Sequence, residues 1–227
     1  MDQVSRIGRA ELDGTTPDTP ARLHFFDHIV LGINDEAVWR CETTHLLDQH
    51  GQPSFAVRLD LDPHAGNVLG RVPVGGDRNR LVELGDRSAP SLDAAARRLL
   101  KRGTESRAHY GTVLRELPLS HRSNSIAASL LTNCLPVTWA EKGCAFQRVA
   151  DTTGANGVFF GAITLTAPST ILDLTLAAYF PALPLFDEAR SAEDGLRYAL
   201  GRAWSAVSIT RVGQTVFWTA RQPRRLG

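Results

Sequence analysis

Arg115 stands in the run Val113-Leu-Arg-Glu-Leu-Pro-Leu119. Strict alternation there places Val113, Arg115, Leu117 and Leu119 on one face of a strand and Leu114, Glu116 and Pro118 on the other. A guanidinium sharing a face with three aliphatics costs free energy unless an anion meets its five donors. That anion is either an internal carboxylate or the carboxylate of a ligand gripped bidentately. Other reactive residue types are dispersed. The seven histidines, His24, His28, His45, His50, His64, His109 and His121, form no HExxH, no HxH and no pair bracketing a carboxylate, so no metal is implied. A Ser-His-Asp set lacks the GxSxG elbow that would carry it. Cys41, Cys134 and Cys144 are odd in number and show no CxxC spacing, and they read as buried free thiols. The double glycine of Val74-Gly-Gly-Asp-Arg-Asn-Arg80 could approach a phosphate, yet it has the spacing of neither nucleotide motif and reads as a hairpin turn. Residue types alone assign no catalytic group and imply no cofactor.

The elements that must position these groups follow from period and punctuation. Asp35 to His50 reads as a helix stopped by Gly51, followed by a strand through Phe55, Val57, Leu59 and Leu61. Ser91 caps a helix of good formers that runs to Lys101 before Gly103. Ile126 to Leu135 is apolar and reads as a strand entering a loop at Pro136, and Thr153 to Gly157 reads as a turn before the β-rich run Val158 to Thr166. Pro168 and Ser169 open a helix through Tyr179, and a second helix spans Ala192 to Trp204. The chain closes with a hairpin, Ala206–Arg211 and Thr215–Ala220. Phe159, Phe160, Tyr179, Phe180, Phe217 and Trp218 are expected in the core, some of them lining a pocket.

A chain of 227 residues with 43% hydrophobic composition is expected to bury one core. Residues 1–20, a polar mixture of Pro, Gly and Thr towards its end, read as a flexible tail, and 21–227 as a single domain. Twenty-five Lys+Arg against 24 Asp+Glu leave a net charge of +1, which favours neither nucleic acid nor an anionic membrane as a partner. The apolar runs are far shorter than the roughly 20 residues of a membrane helix, and charges occupy the place of a secretory h-region, so a cytoplasmic location is expected. Lys101 and Lys142 are the only lysines, an arginine bias of GC-rich bacterial coding.

Four ordered segments resemble the bacterial chorismate pyruvate-lyase family. They are Glu42-Thr-Thr-His-Leu-Leu-Asp-Gln-His-Gly51 with Phe55-Ala-Val-Arg-Leu59; Val113–Leu119 with Ala127–Pro136; Asn156-Gly-Val-Phe-Phe160 with Thr164-Leu-Thr166; and Leu200-Gly-Arg202 through Ser208 with Gly213–Thr219. The resemblance implies an α+β fold: a mostly antiparallel sheet with helices packed on it, enclosing an internal ligand cavity. It implies that Arg115 binds a ligand carboxylate and that the backbone at Asn156 or Gly157 contacts ligand. Ser129 falls where the family carries a second pocket arginine, and Ala220 where it carries an acid. Arg221, Arg202 or His121 are the nearby substitutes. Substrate-binding residues are therefore expected at Arg115, Ser129, Asn156 and Gly157, around a small molecule that is anionic or largely apolar. With one carboxyl and one guanidinium missing, the function implied is a cofactor-independent lyase, isomerase or cyclisation step in a bacterial specialised-metabolite pathway. The alternatives are a chorismate pyruvate-lyase forming 4-hydroxybenzoate and pyruvate, and a non-catalytic ligand-binding protein.

Overall fold

The computed structural model describes residues 44–49, 57–61, 78–84, 89–102, 106–111, 113–117, 119–129, 131–135, 137–164, 192–212 and 215–225. The chain enters this set through a short helix, α1 (44–49), inside the helix expected over Asp35–His50. The alternating apolar run becomes β1 (Val57–Leu61), with Leu59 and Leu61 buried. Strand β2 (Arg78–Leu84) follows, starting inside the run that read as a hairpin turn. The expected helix appears as α2 (Ala89–Lys101), with Arg98 and Lys101 placed where cations complement the carboxyl end of its dipole. Next come β3 (Ser106–Gly111), β4 (Ser123–Ser129) and a single turn, α3 (Leu131–Cys134).

Helix α4 (Trp139–Thr152) begins at a complete capping box. The Thr138 side chain accepts from the Glu141 backbone N–H while the Glu141 carboxylate accepts from the Thr138 N–H at 2.9 Å. It ends directly in β5 (Thr153–Thr164), and Thr153 is both C-cap of the helix and first residue of the strand. Helix α5 (Ala192–Ala203), β6 (Trp204–Val212) and β7 (Thr215–Pro223) complete the described chain. The helix expected from Pro168 to Tyr179 and the tail 1–20 lie outside the described residues.

Among the described residues, seven strands form one sheet in the order β3-β2-β1-β4-β5-β7-β6. Neighbours from β3 to β5 are all parallel, and β7 runs antiparallel to both β5 and β6. The fold is therefore α/β with a mostly parallel sheet. This corrects the expected α+β domain with a mostly antiparallel sheet. An isolated strand looks the same in either direction, and direction is set by what joins it to the next. Helix α4 is the crossover between β4 and β5, and without it those strands read as neighbours of a meander.

Residues one apart on a strand face opposite ways. On one face Leu59, Ile126, Phe159, Trp218 and Val216 pack beneath Phe146 and Val149 of α4 and Leu196 and Leu200 of α5. Phe159 stacks on Trp204 at 4.9 Å between ring centroids, and Phe146 meets Phe159 edge-on at 5.4 Å. Each such pair adds about 0.5–1.5 kcal/mol beyond the area it buries. On the other face Leu46 of α1 packs on Ala127, Val158 and Phe160, and Leu47 packs against α2 through the cluster of Leu92, Ala95 and Leu99. Helices thus cover both faces, the doubly wound arrangement.

Two local expectations change. Val113–Leu117, the described part of the expected strand Val113–Leu119, starts as a turn and bend with no strand: Val113 and Leu117 are buried, while Arg115 and Glu116 are exposed. The apolar residues are four apart because a turn brings both back to the core, so Arg115 does not share a face with them. Thr153–Gly157 belongs to β5, yet the register against β4 jumps from Ser123↔Thr153 to Ser125↔Val158. The extra residues bulge out of the ladder, which is the turn chemistry read from Gly154 and Gly157.

Candidate functional site

In an open parallel sheet, ligands bind outside the carboxyl ends of the strands where the strand order reverses. Here that point lies between β1 and β4, the strands from which the sheet is built outwards in opposite directions. Leu61 ends β1 and Ser129 ends β4 at this crevice. Ser129 is nearly buried, and Thr132, three residues on in α3, is fully buried. The Thr132 Oγ1 has no hydrogen-bond partner. A buried hydroxyl left unpaired costs on the order of 1–3 kcal/mol, and this one lies in the segment that follows the carboxyl end of β4.

A second feature opens on the face that carries α1. Ser129 pairs with Ala162, Ala162 with Phe217, and Phe217 with Thr210, so these four residues form one row across β4, β5, β7 and β6. The next row on the same face is Ala127, Phe160, Thr219 and Ser208. Over the β7 and β6 ends of these rows lies an open groove of about 200 Å³ lined by His45, Ser208, Thr210, Val212, Phe217, Trp218 and Thr219. It is an open groove on the sheet.

His45 is its one titratable wall among those lining residues. Its Nε2 lies 3.2 Å from the main-chain oxygen of Trp218. A carbonyl oxygen only accepts, so Nε2 carries the proton and donates it. The ring meets Phe160 edge-on at 6.2 Å and tilts against Phe217 at 5.5 Å. Burial holds the His45 pKa below the usual imidazole value, against the smaller opposing effects of the Trp218 carbonyl and of Asp48. The neutral ring therefore presents Nδ1 as an acceptor.

The sequence-derived candidates are not brought together. Ser129 stands at the carboxyl edge. Asn156 and Gly157 lie in the bulge at the amino end of β5, about 20 Å along the strand from Ala162, the partner of Ser129. Arg115 is exposed on the bend after β3. Ala220 is buried under α4 and α5, Arg221 reaches Gln49 of α1, and His121 bonds to Ser120. Cys144, expected as a buried thiol, is exposed on α4 because the helical period turns it away from Ala145, Phe146, Val149 and Ala150. Thr132 and His45 were missed as site residues. His45 stood among the seven histidines, and nothing local distinguishes it. No group of three or more potential metal ligands occurs among the described residues, and none of their helices is long and apolar enough to cross a membrane.

No family model matches the chain. It is 26% identical over 220 residues to the demethylluteothin O-methyltransferase of Streptomyces thioluteus, which spans 94% of this chain and 93% of that enzyme. It superposes on the N-methyltransferase NodS of Bradyrhizobium japonicum WM9, in complex with S-adenosyl-L-homocysteine, with a TM-score of 0.63 at 13% identity over 90% of this chain and 96% of that one. The fold is that of these methyltransferases. NcsB1, an O-methyltransferase from neocarzinostatin biosynthesis in complex with S-adenosyl-L-homocysteine and 1,4-dihydroxy-2-naphthoic acid, superposes with a TM-score of 0.53 at 15% identity over 92% of this chain and 65% of that one. The resemblance to the chorismate pyruvate-lyase family is thereby overturned. With it go the lyase, isomerase or cyclisation step and the chorismate-lyase fold, since both the full-length relative and these superpositions are methyltransferases.

Proposed function

We propose that this protein transfers a methyl group from S-adenosylmethionine to a hydroxyl oxygen of a small specialised metabolite. The observation that carries this reading is the match along almost the whole chain to an O-methyltransferase, on a sheet whose strand order puts a reversal between β1 and β4. NcsB1, with a hydroxynaphthoic acid bound, supports a hydroxylated aromatic acceptor.

The described residues fit the donor at one point. The buried, unpartnered hydroxyl of Thr132 beside Ser129 suits a polar group of a nucleoside lodged in the crevice. When bound, the donor supplies a methyl on a positively charged sulfur that departs as a neutral thioether. The protein's own task is to hold the acceptor oxygen in line with that methyl, keep water out and take up the hydroxyl proton. Of the residues read from the sequence, Ser129 is retained as a ligand contact. One domain over 21–227 behind a tail of residues 1–20 is also retained, because a single sheet draws on residues from Val57 to Pro223.

Calorimetric titration with S-adenosylhomocysteine is the direct test, followed by incubation with labelled S-adenosylmethionine and a panel of hydroxyaromatics with and without a carboxylate. Saturable binding and label in the acceptor support the proposal. A protein that binds no S-adenosylhomocysteine is not a methyltransferase of this kind.

A further inference from the structure

The groove over β6 and β7 stands on the same face as Ser129 and in its row, two strand spacings away at Phe217 and so about 10 Å from the crevice strand. Between them the row holds Ala162, fully buried beside Phe217. The lining combines an aromatic wall (His45, Phe217), the hydroxyls of Ser208, Thr210 and Thr219, and no charged side chain. Asp48 acts on His45 from its own helix, and Arg221 on β7 is engaged with Gln49 of α1.

We infer that this groove is the acceptor site: it takes a flat, uncharged ring bearing a hydroxyl group, and His45 Nδ1 receives the hydrogen of that hydroxyl. The inference rests on the methyl-transfer reading and narrows its substrate class. Its physical basis is the fixed tautomer. Because Nε2 is committed as a donor to the Trp218 carbonyl, the other ring nitrogen can only accept, and a hydroxyl is the group that gives it a hydrogen. A carboxylate in the same place would face an acceptor and three neutral hydroxyls, with no cation among the lining residues to offset its desolvation. In the balanced step, the acceptor O–H bond breaks to Nδ1, the oxygen lone pair forms the new C–O bond, and the C–S bond electrons go to sulfur. The proton then leaves the imidazolium for solvent.

The test uses the full chain and two near-isosteric probes, 2-naphthol and 2-methylnaphthalene, titrated calorimetrically into the wild type, His45→Phe and Thr210→Trp. The wild type is expected to prefer 2-naphthol by about tenfold, the worth of one hydrogen bond to an otherwise unpaired acceptor. His45→Phe keeps the aromatic wall and erases the preference, while Thr210→Trp fills the groove and removes binding of both probes. Equal affinity of the two probes for the wild type overturns the inference, as does a preference that survives in His45→Phe or binding that survives in Thr210→Trp. S-adenosylhomocysteine titrated into the same samples separates the two readings. Its retention in both variants shows that they fold and keep the crevice, whereas its absence from the wild type rejects methyl transfer and with it the acceptor role, even where the groove still prefers 2-naphthol.

Discussion

His45 and Trp218 are joined by a hydrogen bond from the imidazole Nε2 to a main-chain oxygen in the middle of the sheet, 3.2 Å long and spanning 173 residues of sequence. It ties α1 to β7 and fixes which ring nitrogen carries the proton. Because burial lowers the His45 pKa in the folded protein, protonation favours the unfolded chain. The contribution to stability is full above the unfolded value of about 6.5 and is lost as pH falls through the folded value. The melting temperature of the wild type should therefore drop more between pH 7 and pH 5 than that of His45→Gln, which has no proton to gain there. Parallel curves for the two proteins would count against the buried neutral ring.

Gly161 has no room for a side chain. A Cβ there would lie 2.1 Å from the Ala128 carbonyl oxygen and 2.5 Å from the Trp218 ring, which crosses over it from the paired position on β7. The oxygen belongs to the ladder of the neighbouring strand and the ring is fully buried, so neither can yield cheaply. Gly161→Ala is expected to cost about 1–3 kcal/mol or more, read as a lower urea midpoint at unchanged slope. A midpoint within error of the wild type would show that the sheet relaxes at this crossing.

Much of the fold was legible where burial is one-sided or punctuation is strong. The alternation of β1, the alanines of α2 and the antiparallel pairing of β6 with β7 recur in the structure, whereas α2 begins at Ala89, so Ser91 lies inside the helix it was expected to cap. Helix α4 carried its own signature, Thr138 three residues before Glu141, but its apolar residues come in the adjacent pairs Ala145-Phe146 and Val149-Ala150, a stripe seen only once the cap is taken as the start. Strand β3, Ser-Arg-Ala-His-Tyr-Gly, has no period to read. Strand direction is a property of connections, so the missed crossover turned a parallel sheet into an antiparallel one and carried the family resemblance with it. The site was harder still. A dinucleotide-type fold announces itself by a glycine-rich turn after β1, and the residues there are Asp62-Pro63-His64-Ala65-Gly66, with one glycine. Ser129 was reached by position in a resemblance, not by chemistry. Thr132 and His45 acquire meaning only from the strand order that sets them at the crevice and beside the groove.

Gly195 in α5 faces the Trp139 ring, and a Cβ built there falls 2.4 Å from it. Alanine in a helix interior is worth up to about 1 kcal/mol over glycine, which here opposes the clash. Gly195→Ala should destabilise the wild type yet stabilise a Trp139→Leu background, because removing the ring leaves only the helix preference. Thermal melts of the two single variants and the double variant give the coupling directly. An equal effect in both backgrounds would mean that Trp139 swings aside at no cost.

Thr138 should be worth about 1 kcal/mol as a cap, measured as the loss in Thr138→Ala. The same change should raise the Glu141 pKa, which hydrogen bonds from the Thr138 side chain and backbone N–H now hold below the usual carboxylate value. A carbon-detected pH titration of Glu141 reads this directly. Lost stability with an unmoved Glu141 would assign the cost to the Thr138 hydroxyl alone.

Thr132→Val separates folding from ligand binding by the sign of its effect. Valine has nearly the shape of threonine, and the hydroxyl it removes is buried without a partner. In the absence of ligand the variant should be at least as stable as the wild type, because an unpaired buried hydroxyl is no longer desolvated. If that hydroxyl completes the donor crevice, S-adenosylhomocysteine should bind the variant about tenfold more weakly, the net worth of one buried hydrogen bond. The two measurements, a urea midpoint and a calorimetric titration, then move in opposite directions. A polar residue maintained for packing cannot produce that pattern, since its loss lowers stability and leaves affinity alone. Unchanged affinity in a protein that still binds S-adenosylhomocysteine would remove Thr132 from the crevice and leave Ser129 as its described polar contact on β4.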